Sequence, residues 1–214
     1  MKMLALKLLD RYDKHISSKM LLLHGMSVFD RPFDQDDTPP GFTGLHGVAY
    51  LGCVEIAVAL LKMNKCDVQA TDFYGNTAIA WAAGRGHERV TRILLERNDT
   101  NPNTADTQYG RTPLSQAAGN RHEEIVRILL ERDDVNPNQA GTLLGQTPLS
   151  WAAENGHEGV VRTLLERDDI NPNKTDTNGR TPLWWATRRG HKGVMRIPLK
   201  GSDVSHNIAD TKYA

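Results

Sequence analysis

One threonine-led phrase returns along this chain at a nearly fixed interval. Thr43-Gly44-Leu45, Thr77-Ala78-Ile79, Thr112-Pro113-Leu114, Thr147-Pro148-Leu149 and Thr181-Pro182-Leu183 begin 34, 35, 35 and 34 residues apart. A period in that range marks a solenoid, in which a unit too small to bury its own apolar face is stabilised by stacking on its neighbours. Four of the threonines are followed ten positions later by a histidine (His87, His122, His157 and His191), and leucine pairs such as Leu94-Leu95 and Leu129-Leu130 stand seventeen and eighteen positions on. Five units are visible.

Each unit reads as two short helices, a turn between them and a loop to the next unit. The threonine hydroxyl caps the first helix, and proline just after it suits the N1 position, where no amide hydrogen bond is lost. Gly86, Gly156 and Gly190 end that helix, since glycine enters the left-handed conformation common at helix C-termini without steric cost. Glu88, Glu123 and Glu158 open the second helix with negative charge at the positive end of its dipole. Arg92 and Glu96, Arg127 and Glu131, and Arg162 and Glu166 are four apart, which predicts ion pairs along a solvated face. Asn101-Pro102-Asn103, Asn136-Pro137-Asn138 and Asn171-Pro172-Asn173, followed by Gly110, Gly145 and Gly179, are turn residues and predict a projecting finger.

Gly110-Arg111-Thr112-Pro113-Leu114, Ala152-Ala153-Glu154-Asn155-Gly156-His157 and Val161-Arg162-Thr163-Leu164-Leu165 closely resemble the ankyrin repeat, and the resemblance runs over roughly residues 40 to 200. It implies an all-α repeat solenoid of stacked helix-turn-helix units with β-hairpin-like finger loops. In that family the fingers and first helices line a concave, protein-binding groove. His46 resembles the structural histidine of ankyrin helices. The Asn-Pro-Asn finger, about one residue longer than the usual ankyrin loop, resembles arrays common in fungal proteins, including those attached to NLR-like receptor domains.

The resulting organisation is an N-terminal helical cap or junction at 1–39, a repeat domain at 40–202 with units at 40–73, 74–108, 109–143, 144–177 and 178–202, and the start of a truncated sixth unit at 203–214. Leu4, Leu8 and Leu9 suit an amphipathic helix, and Phe29 to Pro40 reads as an irregular connector. Two departures from the repeat stand out. Arg121 replaces glycine at the third inter-helix turn, where a left-handed non-glycine residue costs roughly 1 kcal/mol or more. Pro198 stands where other units have Leu60, Leu94, Leu129 or Leu164, which predicts a frayed last unit.

No catalytic constellation emerges. The recurring histidines sit in units stacked about 8 to 10 Å apart, too far to share a zinc ion whose nitrogens lie at about 2.0 to 2.1 Å, so their role is structural and neither metal nor cofactor is expected. His122-Glu123-Glu124-Ile125-Val126 lacks the second histidine of a zincin helix, and Gly84-Arg85-Gly86-His87-Glu88-Arg89 lacks the third glycine of a dinucleotide loop. Cys53 follows His46 by seven positions but has no oxyanion hole or buried base within its unit. Cys53 and Cys66, the only cysteines, are too few for a disulfide framework and fit a reducing compartment.

Lys7 and Asp10 interrupt the apolar start and no small-residue cleavage pattern follows, so no signal peptide is expected. No run reaches the ~18 apolar residues of a membrane-spanning helix. The 26 basic and 26 acidic residues cancel, which removes the whole-molecule field that would favour nucleic acid or a membrane. A cytoplasmic or nuclear monomer is expected. The cluster Arg180, Arg188, Arg189, Lys192, Arg196 and Lys200 reads either as solvated surface or as a grip for phosphates or an acidic peptide.

Counted from the threonine, positions two, five and six (Leu114, Ala117, Ala118; Leu149, Ala152, Ala153) are small or apolar and mark the packed face. Positions four, seven and eight share one helical stripe and differ between units: Trp81, Gly84, Arg85; Gln116, Gly119, Asn120; Trp151, Glu154, Asn155; Trp185, Arg188, Arg189. The family resemblance sets this stripe beside the finger residues Tyr74, Tyr109, Leu144 and Asn178. The candidate partner-binding residues are these four with Trp81, Arg85, Gln116, Asn120, Trp151, Asn155, Trp185, Arg188 and Arg189. The three tryptophans read equally as packing between units and as anchors for a partner. The expected function is non-catalytic binding of a protein or peptide, with no small-molecule substrate. The alternative is a truncated sensing array of a larger NLR-like receptor.

Overall fold

A computed structural model describes residues 41–63 and 66–198. The expected segments 1–39 and 203–214, and Lys200, lie outside the described residues. Ten helices occur among those described: α1 (Gly44–Leu51), α2 (Val54–Lys62), α3 (Ala78–Arg85), α4 (Glu88–Leu95), α5 (Pro113–Gly119), α6 (Glu123–Leu130), α7 (Pro148–Glu154), α8 (Glu158–Leu165), α9 (Pro182–Arg189) and α10 (Lys192–Met195). Each odd-numbered helix packs on the helix after it. The odd helices also stack in order on one another, as do the even ones, giving two layers. Among the described residues there is no strand, only an isolated bridge between Thr71 and Thr77, so the fold is an all-α repeat solenoid.

The threonines start the first-layer helices as caps. Their hydroxyls accept backbone N–H groups three positions on, from Ala80 to Thr77 at 3.4 Å, Ser115 to Thr112 at 3.2 Å, Ser150 to Thr147 at 3.1 Å and Trp184 to Thr181 at 3.2 Å. In α1 the cap is reciprocal: the Thr43 N–H donates to His46 Nδ1 at 3.0 Å, and His46 Nε2 donates to the Ala70 and Asn76 carbonyls, each at 3.0 Å. Leu114, Ala117, Ala118, Leu149, Ala152 and Ala153 are each no more than 2 % exposed. Leu129 and Leu164 seal the second layer, each such burial being worth about 1.5–3 kcal/mol.

The inter-helix turn and the next unit's histidine interlock. Gly86 sits at φ 79°, and a Cβ there would lie 2.7 Å from the ring of His122. Each histidine then donates Nε2–H to a first-layer carbonyl of the unit before it: His87 to Tyr50 at 2.8 Å, His122 to Gly84 at 3.1 Å, His157 to Gly119 at 3.0 Å and His191 to Glu154 at 2.8 Å. These carbonyls belong to helix C-termini that lack intrahelical donors, so the histidine caps its neighbour's helix. Arg121 occupies the third turn at φ 66°, alone among the described non-glycine residues in having positive φ.

Asparagines repeat the device at the other end of the second and third units. Asn103 Nδ2 donates to the Asp134 carbonyl and Asn138 Nδ2 to that of Asp169, both at 2.6 Å. Their side-chain oxygens accept the N–H groups of Asn136 and Asn171, both at 2.8 Å. Arg132 and Arg167, held by Asp134 and Asp169, cap α4 and α6 through the Leu95 and Leu130 carbonyls at 2.9 and 2.8 Å.

Two of the expected intrahelical ion pairs are replaced. Arg92 crosses to Glu124 and Glu131 of the next unit at 3.2 and 3.1 Å, and Arg127 turns back to Glu123 at 2.5 Å rather than forward to Glu131. The stacked second layer brings a neighbour's carboxylate as close as the helix's own, and Glu before Arg is the better order at four-residue spacing. The last helix is short, with four residues in α10 against eight in α4, α6 and α8, and it stops ahead of Pro198.

Candidate functional site

The fingers are built around one acidic side chain. Asp72 Oδ1 accepts the backbone N–H of Tyr74 at 2.8 Å and of Asn76 at 2.9 Å, a short side-chain-to-backbone loop of the kind Asp favours in turns. Asp106 does the same for Tyr109 and Gly110, at 2.6 and 3.0 Å, and Asp176 for Asn178 and Arg180, at 2.8 and 3.0 Å. The second oxygen of each carboxylate faces the first-layer helices. It accepts from Trp81 Nε1 at 2.9 Å in the first case, Arg111 Nε at 3.0 Å in the second, and Arg180 Nε at 2.8 Å with Trp185 Nε1 at 3.2 Å in the third. Successive fingers are tied by Thr107 N–H to the Tyr74 carbonyl at 2.7 Å and Thr177 N–H to the Leu144 carbonyl at 3.1 Å.

This scaffold sets the exposure of each candidate residue. Tyr74, Tyr109, Leu144, Trp81, Gln116 and Trp151 are half-buried, and Arg85, Asn120, Asn155, Asn178, Arg188 and Arg189 are exposed. Trp185 is only 7 % exposed and stacks edge-on against Trp184, with centroids 5.1 Å apart. Trp81 makes the same contact with Tyr50 at 5.4 Å. The packing reading of these rings therefore applies most fully to Trp185.

The exposed apolar tips of the fingers are Phe73 at 64 % and Leu143 at 58 %, each one position before a residue singled out by sequence. A hairpin tip turns its most apolar side chain outward only where backbone direction decides it, so the period alone does not distinguish neighbours there.

Sequence reasoning also missed the three aspartates and Arg111, and the rings on which Arg85, Arg111, Arg180 and Arg188 are stacked. Arg85 lies over Tyr50, 4.1 Å from the ring centroid; Arg111 over Tyr109 at 4.7 Å; Arg180 over Trp185 at 4.3 Å; and Arg188 over Trp184 at 5.4 Å. Stacking holds a guanidinium flat while its N–H edge stays available for a planar acceptor. The signal for the aspartates was an acid five or six positions ahead of the threonine in three of four fingers. Tyr74's phenol is raised above its ordinary value by burial and then by Asp72, which keeps it protonated.

The side chains capable of chemistry are otherwise engaged. Burial, then Glu55, raises the Cys53 thiol above its usual value, the opposite of what a reactive cysteine needs. Among the described residues no group of three or more His, Cys, Asp or Glu side chains is arranged to hold a metal ion, and no helix is long and apolar enough to cross a membrane.

Stacked helix pairs, interlocking histidines and a row of fingers define a helical repeat scaffold with one variable face. Residues 45–141 and 134–208 match the family model for ankyrin repeats in three copies, and the chain belongs to the ankyrin-repeat family. Ankyrin repeats are generally protein–protein interaction modules and are typically non-catalytic.

Proposed function

We propose that this protein is a non-catalytic adaptor that binds a partner protein or peptide in the groove between its fingers and first-layer helices, as an intracellular monomer. The observation that carries the reading is where variation falls. Positions two, five and six after Thr77, Thr112 and Thr147 keep their small or apolar character and are buried in α3, α5 and α7, and that character breaks only at the exposed Thr187 of α9. Positions four, seven and eight are not held to one residue along the array (tryptophan or glutamine; glycine, glutamate or arginine; arginine or asparagine), and position eight (Arg85, Asn120, Asn155, Arg189) is exposed in all four units. A surface whose frame is constant and whose contact residues differ is suited to one specific partner, with the half-exposed Trp81 and Trp151 as anchors.

In the alternative, a truncated sensing array of a larger NLR-like receptor, the likeness to receptor arrays rested on the Asn-Pro-Asn finger. Its asparagines are explained by the hydrogen bonds they make between units, so the motif gives the receptor reading no separate support.

The test is affinity capture from a source-cell lysate with the intact chain and with an Arg85→Ala, Asn120→Ala, Asn155→Ala variant checked for folding by circular dichroism. A partner retained by an outer-face variant (Glu96→Ala, Arg162→Ala) and lost by the groove variant supports the reading. Loss by the outer-face variant alone refutes it.

A further inference from the structure

Between α3 and α5, on the finger side, lies a pocket of about 530 Å³ whose lining includes Trp81, Arg85, Arg111, Gln116, Asn120 and His122. Its lining holds two guanidinium groups and no carboxylate. Three of its polar side chains are already engaged. Gln116 Nε2 donates to Asn76 Oδ1 at 2.8 Å, Asn120 Nδ2 to the Gly84 carbonyl at 2.9 Å and His122 Nε2 to the same carbonyl at 3.1 Å. The arginines differ. Arg111 is anchored through Nε by Asp106 at 3.0 Å and makes no hydrogen bond through its terminal nitrogens among the described residues. Arg85 is exposed, lies over the Tyr50 ring and makes no hydrogen bond or ion pair among the described residues.

The molecule itself supplies the missing comparison. Arg189 stands at the same register of α9 as Arg85 does of α3, eight positions after the threonine. Arg189 Nη2 meets Glu154 Oε1 at 2.6 Å, and Glu154 comes from position seven of the unit before. Position seven of the unit before Arg85 is Tyr50. The arginine is thus retained and held in place by the ring, while the carboxylate that satisfies its counterpart is missing.

Resting on the groove reading above, we propose that this pocket seats a glutamate or aspartate side chain of the partner, taken by Arg85 and by the terminal nitrogens of Arg111. Charge-assisted and planar, such a contact selects an acidic peptide over its amide counterpart. The volume admits the side chain together with adjoining backbone, so the acid enters as part of a bound segment. Gly84, at position seven of α3, keeps the floor low where Glu154 and Arg188 project in α7 and α9.

The experiment is selection of the full chain against a random twelve-residue displayed peptide library, followed by fluorescence anisotropy with a selected peptide and its Glu→Gln form. The expected result is an acidic residue fixed at one position of the selected peptides. Its amidation weakens binding about five- to tenfold, Arg85→Gln does the same to the acidic peptide, and the amidated peptide binds both proteins alike. Selected peptides that respond to Asn155→Ala but ignore Arg85→Gln overturn this inference and leave the groove reading standing. Selected peptides that bind only elsewhere, or none at all, overturn both.

Discussion

Trp81 and Trp151 stand at the same register of α3 and α7, and both are half-buried, yet only one of them has a hydrogen-bond partner. Trp81 Nε1 donates to Asp72 at 2.9 Å, and the same carboxylate gathers two backbone N–H groups of its finger. In the finger that leads into the fourth unit the matching position is Gly141, where a Cβ would lie 2.6 Å from the Tyr109 carbonyl oxygen and the aspartate cannot fit. Trp151 Nε1 and Gln146 Oε1 are consequently buried without a partner among the described residues, while Gln146 Nε2 turns to Glu154 at 2.6 Å. Arg121 stands in the inter-helix turn of the unit before this one. A solenoid tolerates such losses because each junction is stabilised separately, and the difference teaches that stabilisation along this array is uneven, weaker at the finger ahead of the fourth unit than at the finger ahead of the second.

The contrast can be broken by giving the finger ahead of the second unit the defect of the one ahead of the fourth. Asp72→Ala is expected to cost about 2–3 kcal/mol in urea unfolding, since it leaves buried donors unsatisfied. A loss below about 0.5 kcal/mol would show that the carboxylate does not matter and that the fourth unit lacks nothing. Next in size, Trp81→Phe is expected to lose about 1 kcal/mol or more by stranding an Asp72 oxygen, whereas Trp151→Phe removes an orphan donor and is neutral or stabilising. Equal losses in the two variants would erase the distinction.

Arg121→Gly relieves the left-handed residue and is expected to raise stability by about 0.5–1 kcal/mol, read from the same unfolding curves. The smallest effect concerns pH. Burial, the largest influence, lowers the pKa of His157, with the bond to Gly119 opposing and the charge of Arg121 adding to the shift. The unfolded chain then takes up its proton first, so stability is full above about pH 6.5 and declines as pH falls through that value towards the folded one. His157→Gln is expected to flatten this decline in melting temperature between pH 7.5 and 5.5.

The frame was legible in the sequence because it is written in local, recurring chemistry. Threonine caps, proline at N1 and left-handed glycines act over three or four residues and announce themselves at every period, and even the strain at Arg121 follows from one missing glycine. The site was legible only by register. Which member of a finger pair points outward, Phe73 or Tyr74, depends on how one hairpin lies against the next. The ring beneath Arg85 comes from a residue 35 positions earlier. The Arg92 pair failed for the same reason, since Arg92 found its carboxylates in the neighbouring unit rather than on its own helix.

The histidine and asparagine bonds between units join residues 31 to 38 positions apart, so each one closes between a unit and its immediate neighbour. A block of one period copied in the gene arrives with both halves of every such fastening, the donor on one side and the acceptor on the other. Lengthening by duplication then requires no new fold. The two daughter blocks are free to drift apart at positions four, seven and eight, and the proposed recognition surface gains one independently evolving strip with every copy.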